Sequence, residues 1–371
     1  MRGRVPDFTN ISLARGAPSL DIVDVEGLKA AAQSAFERDP AGTFAYGTSA
    51  GYPHLLEWIA AKHDVPPDRV IATNGSMQAD AFLFQQLVGP GDVVVVEAPT
   101  YDRTLLSLRQ LGAEILAIPL EPDGIDVDAL ELALREGANP KLAHIIPNFQ
   151  NPAGCTLSLE KRERLLALAG EYGFTIFEDD PYVALRFEGE SLPTMLSMGG
   201  AETVVYASSF SKTVCPGIRV GYLVGPADTI AAIRKLATNT YISPNMVAQS
   251  IVAEFCHSGA IDRSIETVKA ALRERRDATA VALERHLPDA RFVAPQGGYF
   301  LWVDLPEGTD VAALEAAALE RGVVFVKGTD FLIEGGDSSL RIAYSAVPPD
   351  QIEEGIGRVA EAYRELAGAA A

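Results

Sequence analysis

The chain predicts an α/β fold: a mainly parallel seven-stranded sheet flanked by helices, followed by a small α+β unit. Three observations carry this. From Arg69 to Gly225, short apolar runs alternate with stretches of helical periodicity. Several of those runs are unbroken and β-branched, Val93–Val96 above all, as in strands covered on both faces. A long charged helical stretch, Ile261–His286, then stops at Leu287-Pro288 and leads into a shorter set of strands and helices.

The elements follow in order. Residues 1–23 are irregular, with a turn at Arg15-Gly16-Ala17-Pro18. Val25–Arg38 reads as a helix with Leu28, Ala31, Ala32, Ala35 and Phe36 on one face, ended by Asp39-Pro40-Ala41-Gly42. A second helix follows with Pro53 in its first turn. The seven strands are Val70–Thr73, Val93–Glu97, Glu114–Ile118, Leu142–Ile146, Phe174–Phe177, Val204–Ala207 and Ile218–Val224. Between them lie helices over Met77–Val88, Asp102–Leu111, Val127–Arg135 and Leu159–Tyr172, the last stopping at Gly173. Pro226–Leu236 and Pro244–His257 are helical. The small unit comprises Gly298–Asp304, helix Val311–Arg321, Val323–Val326, Ser339–Ala343 and helix Gln351–Leu366, with a frayed alanine-rich tail. We expect a large domain over 44–257 and a small domain formed by 1–43 with 258–371.

Composition excludes several function classes. With 31 Lys+Arg against 50 Asp+Glu, the net charge of −19 repels polyanions, so neither nucleic acid nor an anionic membrane is an expected partner. No apolar run approaches the ~20 residues of a membrane span. Cys155, Cys215 and Cys256 offer no disulfide framework and no zinc spacing. The N-terminus lacks a signal-peptide core, and a reducing cytoplasm is the expected location. The five histidines have no metal spacing and read as structural or surface residues.

One stretch stands out chemically. Lys212 sits in a loop between two apolar runs, flanked by Ser208, Ser209, Ser211 and Thr213, with Arg219 seven residues on. An amine beside hydroxyls and a guanidinium suits a cofactor bearing an aldehyde and a phosphate. On these residues alone, a solvated lysine in a serine-rich turn is the simpler account.

Ser-x-Ser-Lys-Thr-x-x-Pro-Gly-x-Arg-x-Gly-Tyr resembles the lysine segment of fold-type-I, pyridoxal-phosphate-dependent aminotransferases. Within them it is most similar to the subgroup of 2-aminoadipate and kynurenine aminotransferases, and to the aminotransferase-like half of some bacterial regulators. The resemblance extends from Ile11 to Ala346, through several motifs in the family's order.

It implies a role for each motif. Lys212 would carry pyridoxal 5'-phosphate as a Schiff base and move the substrate's α-proton. In Phe174-Thr-Ile-Phe-Glu-Asp-Asp-Pro-Tyr182, Asp179 would face the pyridine nitrogen and Tyr182 the ring's phenolic oxygen, with Glu178 and Asp180 as neighbours. Asn151, in Asn-Pro-Ala-Gly154, would also hold the phenolic oxygen and lie near the substrate carboxylate. The phosphate would rest on Ser76 and Met77 at a helix start, and on Ser209, Ser211 and Arg219. Met77 departs from the family's usual glutamine, which leaves only a backbone contact there. Tyr101 would stack on the ring, a core tyrosine being the competing account. Arg341 would anchor the substrate carboxylate, Gly16 would lie in a segment closing over substrate, and Tyr46 would reach the other subunit's phosphate in a homodimer.

The resemblance thus implies transamination between an α-amino acid and a 2-oxo acid. Fold and lysine alone also fit another reaction on the same cofactor, a lyase, decarboxylase or oxidative deaminase. A cofactor-sensing regulatory module is the reading from a different class. Such regulators place a basic DNA-binding domain ahead of this fold, whereas family-like sequence here begins near Ile11. Arg15 stands where it could meet an acidic substrate side chain or simply lie on the surface.

Overall fold

The computed structural model describes residues 10–370. Its main sheet runs in the order Val70–Thr73, Gly221–Val224, Val204–Ser209, Thr175–Asp179, Pro140–Ile145, Val93–Ala98, Glu114–Glu121. The two-residue strand Gly124–Ile125 folds back on the last of these as an eighth. Strands from Val204–Ser209 across to Glu114–Glu121 are parallel, and Gly221–Val224 is antiparallel to both neighbours. The expected sheet is therefore present, extended by one short edge.

Local chemistry set several helix ends at the residues read from sequence. Val25–Arg38 starts where the Asp24 carboxylate accepts from the Gly27 N–H, and Val127–Arg135 where Asp126 accepts from Ala129. Leu159–Tyr172 has Ser158 at its start and Gly173 in the left-handed conformation at its end; Asp102–Leu111 ends likewise at Gly112.

Other expectations were corrected. The first helix buries Ala31 and Ala35, but Phe36 is exposed against Phe44, because Pro40–Phe44 forms a further short helix. The strand expected from Ile218 begins only at Gly221: Pro216–Ile218 is a 3-10 turn and Arg219 has φ 49°. Val323–Val326 divides into Val323–Val324, which pairs with Ile11–Ser12, and Val326–Lys327, which joins the small sheet. The final helix runs Pro349–Ala370, through the tail expected to fray; alanine is the strongest helix former.

Two apolar clusters cover the two faces of the main sheet, one centred on Val95, Ile145 and Ile176, the other on Val94, Val96 and Phe177. The alternation along Val93–Ala98 sends successive valines to opposite sides, which is why the run had to be unbroken. A separate core joins Ile11, Leu13 and Ile22 to the four-stranded antiparallel sheet of Arg291–Phe292, Phe300–Asp304, Ser339–Ala343 and Val326–Lys327. The N-terminal segment is thereby tied to the small unit, and its residues 14–16 reach the site described next. Among the described residues, no helix is long and apolar enough to cross a membrane.

Candidate active site

A cavity of about 550 Å³ lies at the carboxyl ends of the parallel strands. Every site residue expected from sequence except Tyr46 lines it: Gly16, Ser76, Met77, Tyr101, Asn151, Asp179, Tyr182, Ser209, Ser211, Lys212, Arg219 and Arg341. Tyr46 stands outside the cavity and is 86% exposed.

Lys212 occupies the loop between Val204–Ser209 and Gly221–Val224. The loop is closed at its base by the ladder pair Ser209–Gly221 and by the Phe210 N–H donating to Val220 O at 3.0 Å. The amine donates to Gly16 O at 2.7 Å, and lies 5.1 Å from the Tyr299 ring centre and 5.6 Å from that of Tyr182. The Tyr299 hydroxyl donates to the Lys212 carbonyl. Burial, then the positive charges of Arg341 and Arg219, push the amine down to about 8.

Three consecutive acids end the strand Thr175–Asp179, and the alternation of the strand separates them. Glu178 accepts from the Met195 and Leu196 N–H groups, at 2.8 and 3.0 Å, and burial pushes its carboxyl up to about 7. Asp180 accepts from Asn148 Nδ2 at 2.9 Å and is pushed up to about 8, by burial and then by Glu178. Asp179 alone of the three lines the cavity, and its buried Oδ1 has no hydrogen-bond partner. A buried carboxylate oxygen without a donor beside a cavity leaves hydrogen-bonding capacity for a ligand or a neighbouring group to fill.

The opposite end is a cradle for an anion. The helix Ser76–Leu87 starts at Gly75 with no side-chain cap, which leaves its first N–H groups for a ligand. Arg219, held at positive φ, donates from Nη1 to Ser211 Oγ at 3.2 Å and from Nη2 to Asn74 O at 3.4 Å. Close packing requires glycine here: a Cβ on Gly75 would meet Arg219 Nη2 at 2.2 Å, and one on Gly221 would meet Ser76 N at 2.6 Å.

The third feature joins the two domains' elements. Arg341 lies with its guanidinium carbon 4.2 Å from the Phe300 ring centre and 4.8 Å from that of Phe331. It donates from Nη1 to Asn151 Oδ1 at 2.9 Å and from Nη2 to Ala14 O at 2.6 Å, while buried Nε has no partner. The rotamer is fixed on both faces, and unused N–H groups remain.

A lysine amine, an unsatisfied carboxylate and an anion cradle in one cavity of an α/β sheet define a fold-type-I, pyridoxal-phosphate-dependent enzyme. Residues 9–359 match aminotransferase class I and II, and the chain belongs to that family. It is 35% identical to aromatic-amino-acid aminotransferase 1 of Thermococcus litoralis, over 96% of this chain and 88% of the relative. It is 32% identical to the 2-aminoadipate transaminase of Thermus thermophilus, over 96% of this chain and 90% of the relative. The crystal structure of alpha-aminoadipate aminotransferase from Thermus thermophilus, complexed with N-(5'-phosphopyridoxyl)-L-leucine, superimposes with a TM-score of 0.92 at 31% identity, covering 97% of this chain and 93% of that one. The protein is an aminotransferase that uses pyridoxal phosphate. These relatives favour transamination over the lyase, decarboxylase, deaminase and regulatory readings.

Sequence reasoning missed several residues of the site. His144 Nε2 lies 3.4 Å from Asp179 Oδ2, though not aligned as a hydrogen bond. Its buried position on the strand Pro140–Ile145 was legible, but the register that puts it beside Asp179 was not. Asp80 lines the cavity from the helix Ser76–Leu87, where a lone acid on a buried helical face was an overlooked signal. Phe300 and Phe331, which hold Arg341, are visible in sequence only as core aromatics. Asp102 and Arg103 also line the cavity, as does Arg15, which the sequence had singled out as able to meet an acidic side chain.

The depressed Lys212 amine gives a direct expectation. In the cofactor-free protein, the Lys212 Cε resonance should titrate with a midpoint near pH 8 instead of the ~10.4 of a free lysine. Arg341→Ala removes one of the cations facing it and should raise that midpoint. An unshifted midpoint in the parent protein would mean that the amine is solvated.

Proposed function

We propose that this chain transfers an amino group between an α-amino acid and a 2-oxo acid as a cytoplasmic homodimer of amino acid metabolism, including biosynthesis, with the following division of labour. The observation that carries the reading is the Lys212 amine in one cavity with the unpartnered Asp179 Oδ1 and with the Arg219 cradle.

Pyridoxal phosphate, when bound, supplies an aldehyde that takes up the amino group and a ring that accepts electrons from the α-carbon. Ser209, Ser211, Arg219 and the N–H groups of Ser76 and Met77 hold its phosphate. Asp179 would hold a proton at the ring nitrogen, and Tyr182 with Asn151 would donate to the ring oxygen. Tyr101 stacks on the ring face. Lys212 would hold the aldehyde until the substrate's amine displaces it, and its freed amine would then be the base placed to move the α-proton; a depressed amine is suited to that role near neutral pH. Arg341 holds the substrate carboxylate and so orients the bond to the α-proton. Lys212 and Arg341 both donate to carbonyls of the segment 14–16, which supports Gly16 as part of a cover that excludes water.

Tyr46 is proposed to serve a second subunit. Its near-complete exposure, with exposed Phe44 nearby in sequence, supports an interface at this edge. Cytoplasmic residence is supported by three cysteines that are all unpaired.

A screen of amino acids, each with a 2-oxo acid acceptor, should give equimolar new amino acid and no ammonia. Ammonia released without an acceptor would contradict transamination. Arg341→Ala should lower kcat/KM for amino acids by about two orders of magnitude, from roughly 2–5 kcal/mol lost when a buried charge pair is broken. Amines without a carboxylate should react nearly as before; equal losses for both would make Arg341 structural.

For the dimer, Tyr46→Phe and Lys212→Ala chains should be mixed. If Tyr46 serves the partner, heterodimers contain one site free of both changes, with the parent's cofactor affinity. A mixture showing only the affinities of the two single variants would place Tyr46 in its own chain's site.

A further inference from the structure

A second carboxyl group shares the ring-nitrogen end of the cavity with Asp179. Asp80 is 6% exposed, lines the cavity, and its buried Oδ1 has no hydrogen-bond partner. Packing shows what it faces. On the helix Ser76–Leu87, Asp80 and Phe84 are four residues apart and share a face. Phe84 packs edge-on against Phe177, with ring centres 5.7 Å apart, and against His144 at 6.0 Å. On the strand Thr175–Asp179, Phe177 and Asp179 likewise share a face.

The directions agree. Val70–Thr73 is parallel to Thr175–Asp179 through two antiparallel pairings and one parallel one. The helix that follows it runs back, so one turn from Phe84 toward the helix start moves toward the carboxyl end of the strands. Those four residues cover about 6 Å; the step from Phe177 to Asp179 covers about 6.6 Å in the same direction. Asp80 is thus brought over Asp179, as Phe84 is over Phe177.

Resting on the reading of Asp179 as the ring-nitrogen partner, we propose that Asp80 is a positioning residue: it donates a hydrogen bond from its carboxyl group to the Asp179 carboxylate, and so helps keep the shared proton on the ring nitrogen. Both carboxyls have an unpartnered oxygen, and one hydrogen bond between them satisfies both. Burial, and then the charge of Asp179, raise the Asp80 carboxyl well above its ordinary range, so that it carries the proton needed to donate. The other titratable groups at this end are His144 beside Asp179, Tyr101, Tyr182 and Glu97, each raised by burial first and also by Asp179, and the Lys212 amine, on which Asp179 also acts. A hydrogen bond donated to a carboxylate favours its charged form. Without it, the proton between Asp179 and the ring nitrogen moves toward Asp179, and the ring becomes a weaker acceptor of electrons.

Two measurements test this, neither relying on turnover. In the cofactor-free protein at neutral pH, the infrared difference spectrum between parent and Asp80→Asn should contain a protonated-carboxyl band belonging to the parent. Its absence would overturn the proposal. In protein loaded with ring-¹⁵N pyridoxal phosphate, Asp179→Asn should move the ring resonance to the unprotonated position. Asp80→Leu should move it part of the way, and Asp80→Asn, which keeps a donor of the same shape, should stay near the parent. An unmoved resonance in Asp80→Leu, or equal movement in both Asp80 variants, would overturn the donor role. If Asp179→Asn leaves the resonance unmoved, the assignment of Asp179 fails, and the proposal with it.

Discussion

The site depends on keeping one lysine amine out of water beside two arginines. An ammonium in that position is disfavoured by burial and by like charge, and the protein responds with an amine pushed down to about 8. The loop carrying Lys212 has little freedom to escape, since it is closed by the strand pair at its base and by the Tyr299 hydroxyl on its own carbonyl. What the cavity offers the amine instead is a carbonyl, Gly16 O, from a segment that belongs to the small unit's core. Arg341 makes the matching contact to Ala14 O. The two cations that would bind cofactor and substrate therefore also tether the N-terminal segment, so ligand binding and the position of that segment are linked.

The acids around the cavity are sorted by the same rule, that a buried carboxyl must be satisfied or neutral. Glu178 takes two backbone N–H groups; Asp180 takes an asparagine amide. Glu97, pushed up to about 8 by burial, accepts from Gln150 Nε2 at 3.0 Å and from Ile146 N at 3.2 Å. Gln150 in turn donates to Pro99 O and accepts from the Ala153 N–H, so this acid braces the turn that carries Asn151. Arg162, fully buried, braces the same turn from the other side by donating to Pro147 O and Asn148 Oδ1. Among the described acids that line the cavity, Asp179 and Asp80 keep a buried oxygen without a partner; Asp180, away from the cavity, keeps its Oδ1 unpartnered as well.

Much of this was legible in the sequence because it is local. Aspartate and serine caps and left-handed glycines fix helix ends through hydrogen bonds spanning three or four residues, and four helices ended where those residues stand. The motif around Lys212 combines a hairpin-like connection with its phosphate-side residues in one stretch, so its parts needed no tertiary knowledge to be placed together. Asp179 could be told from Asp180 in the sequence by its three-residue step to Tyr182, and strand alternation in the structure separates the two. What could not be read depends on register between distant strands. The Arg341–Asn151 bond spans 190 residues, and nothing near either residue announces it. His144 and Asp80 are single polar residues in apolar patterns; each acquires meaning only when the packing of Phe84 on Phe177 is known. The misjudged tail and the late start of Gly221–Val224 are boundary effects, where alanine propensity and the left-handed Arg219 overrode the pattern.

The central claim is that Lys212, and no other lysine, presents its amine to the cofactor. Borohydride reduction of the protein loaded with pyridoxal phosphate, followed by peptide mapping, tests it most directly. The account predicts one pyridoxyl group per chain, on the peptide containing Lys212, and none in Lys212→Ala. Label on a different lysine in the unaltered protein would contradict it.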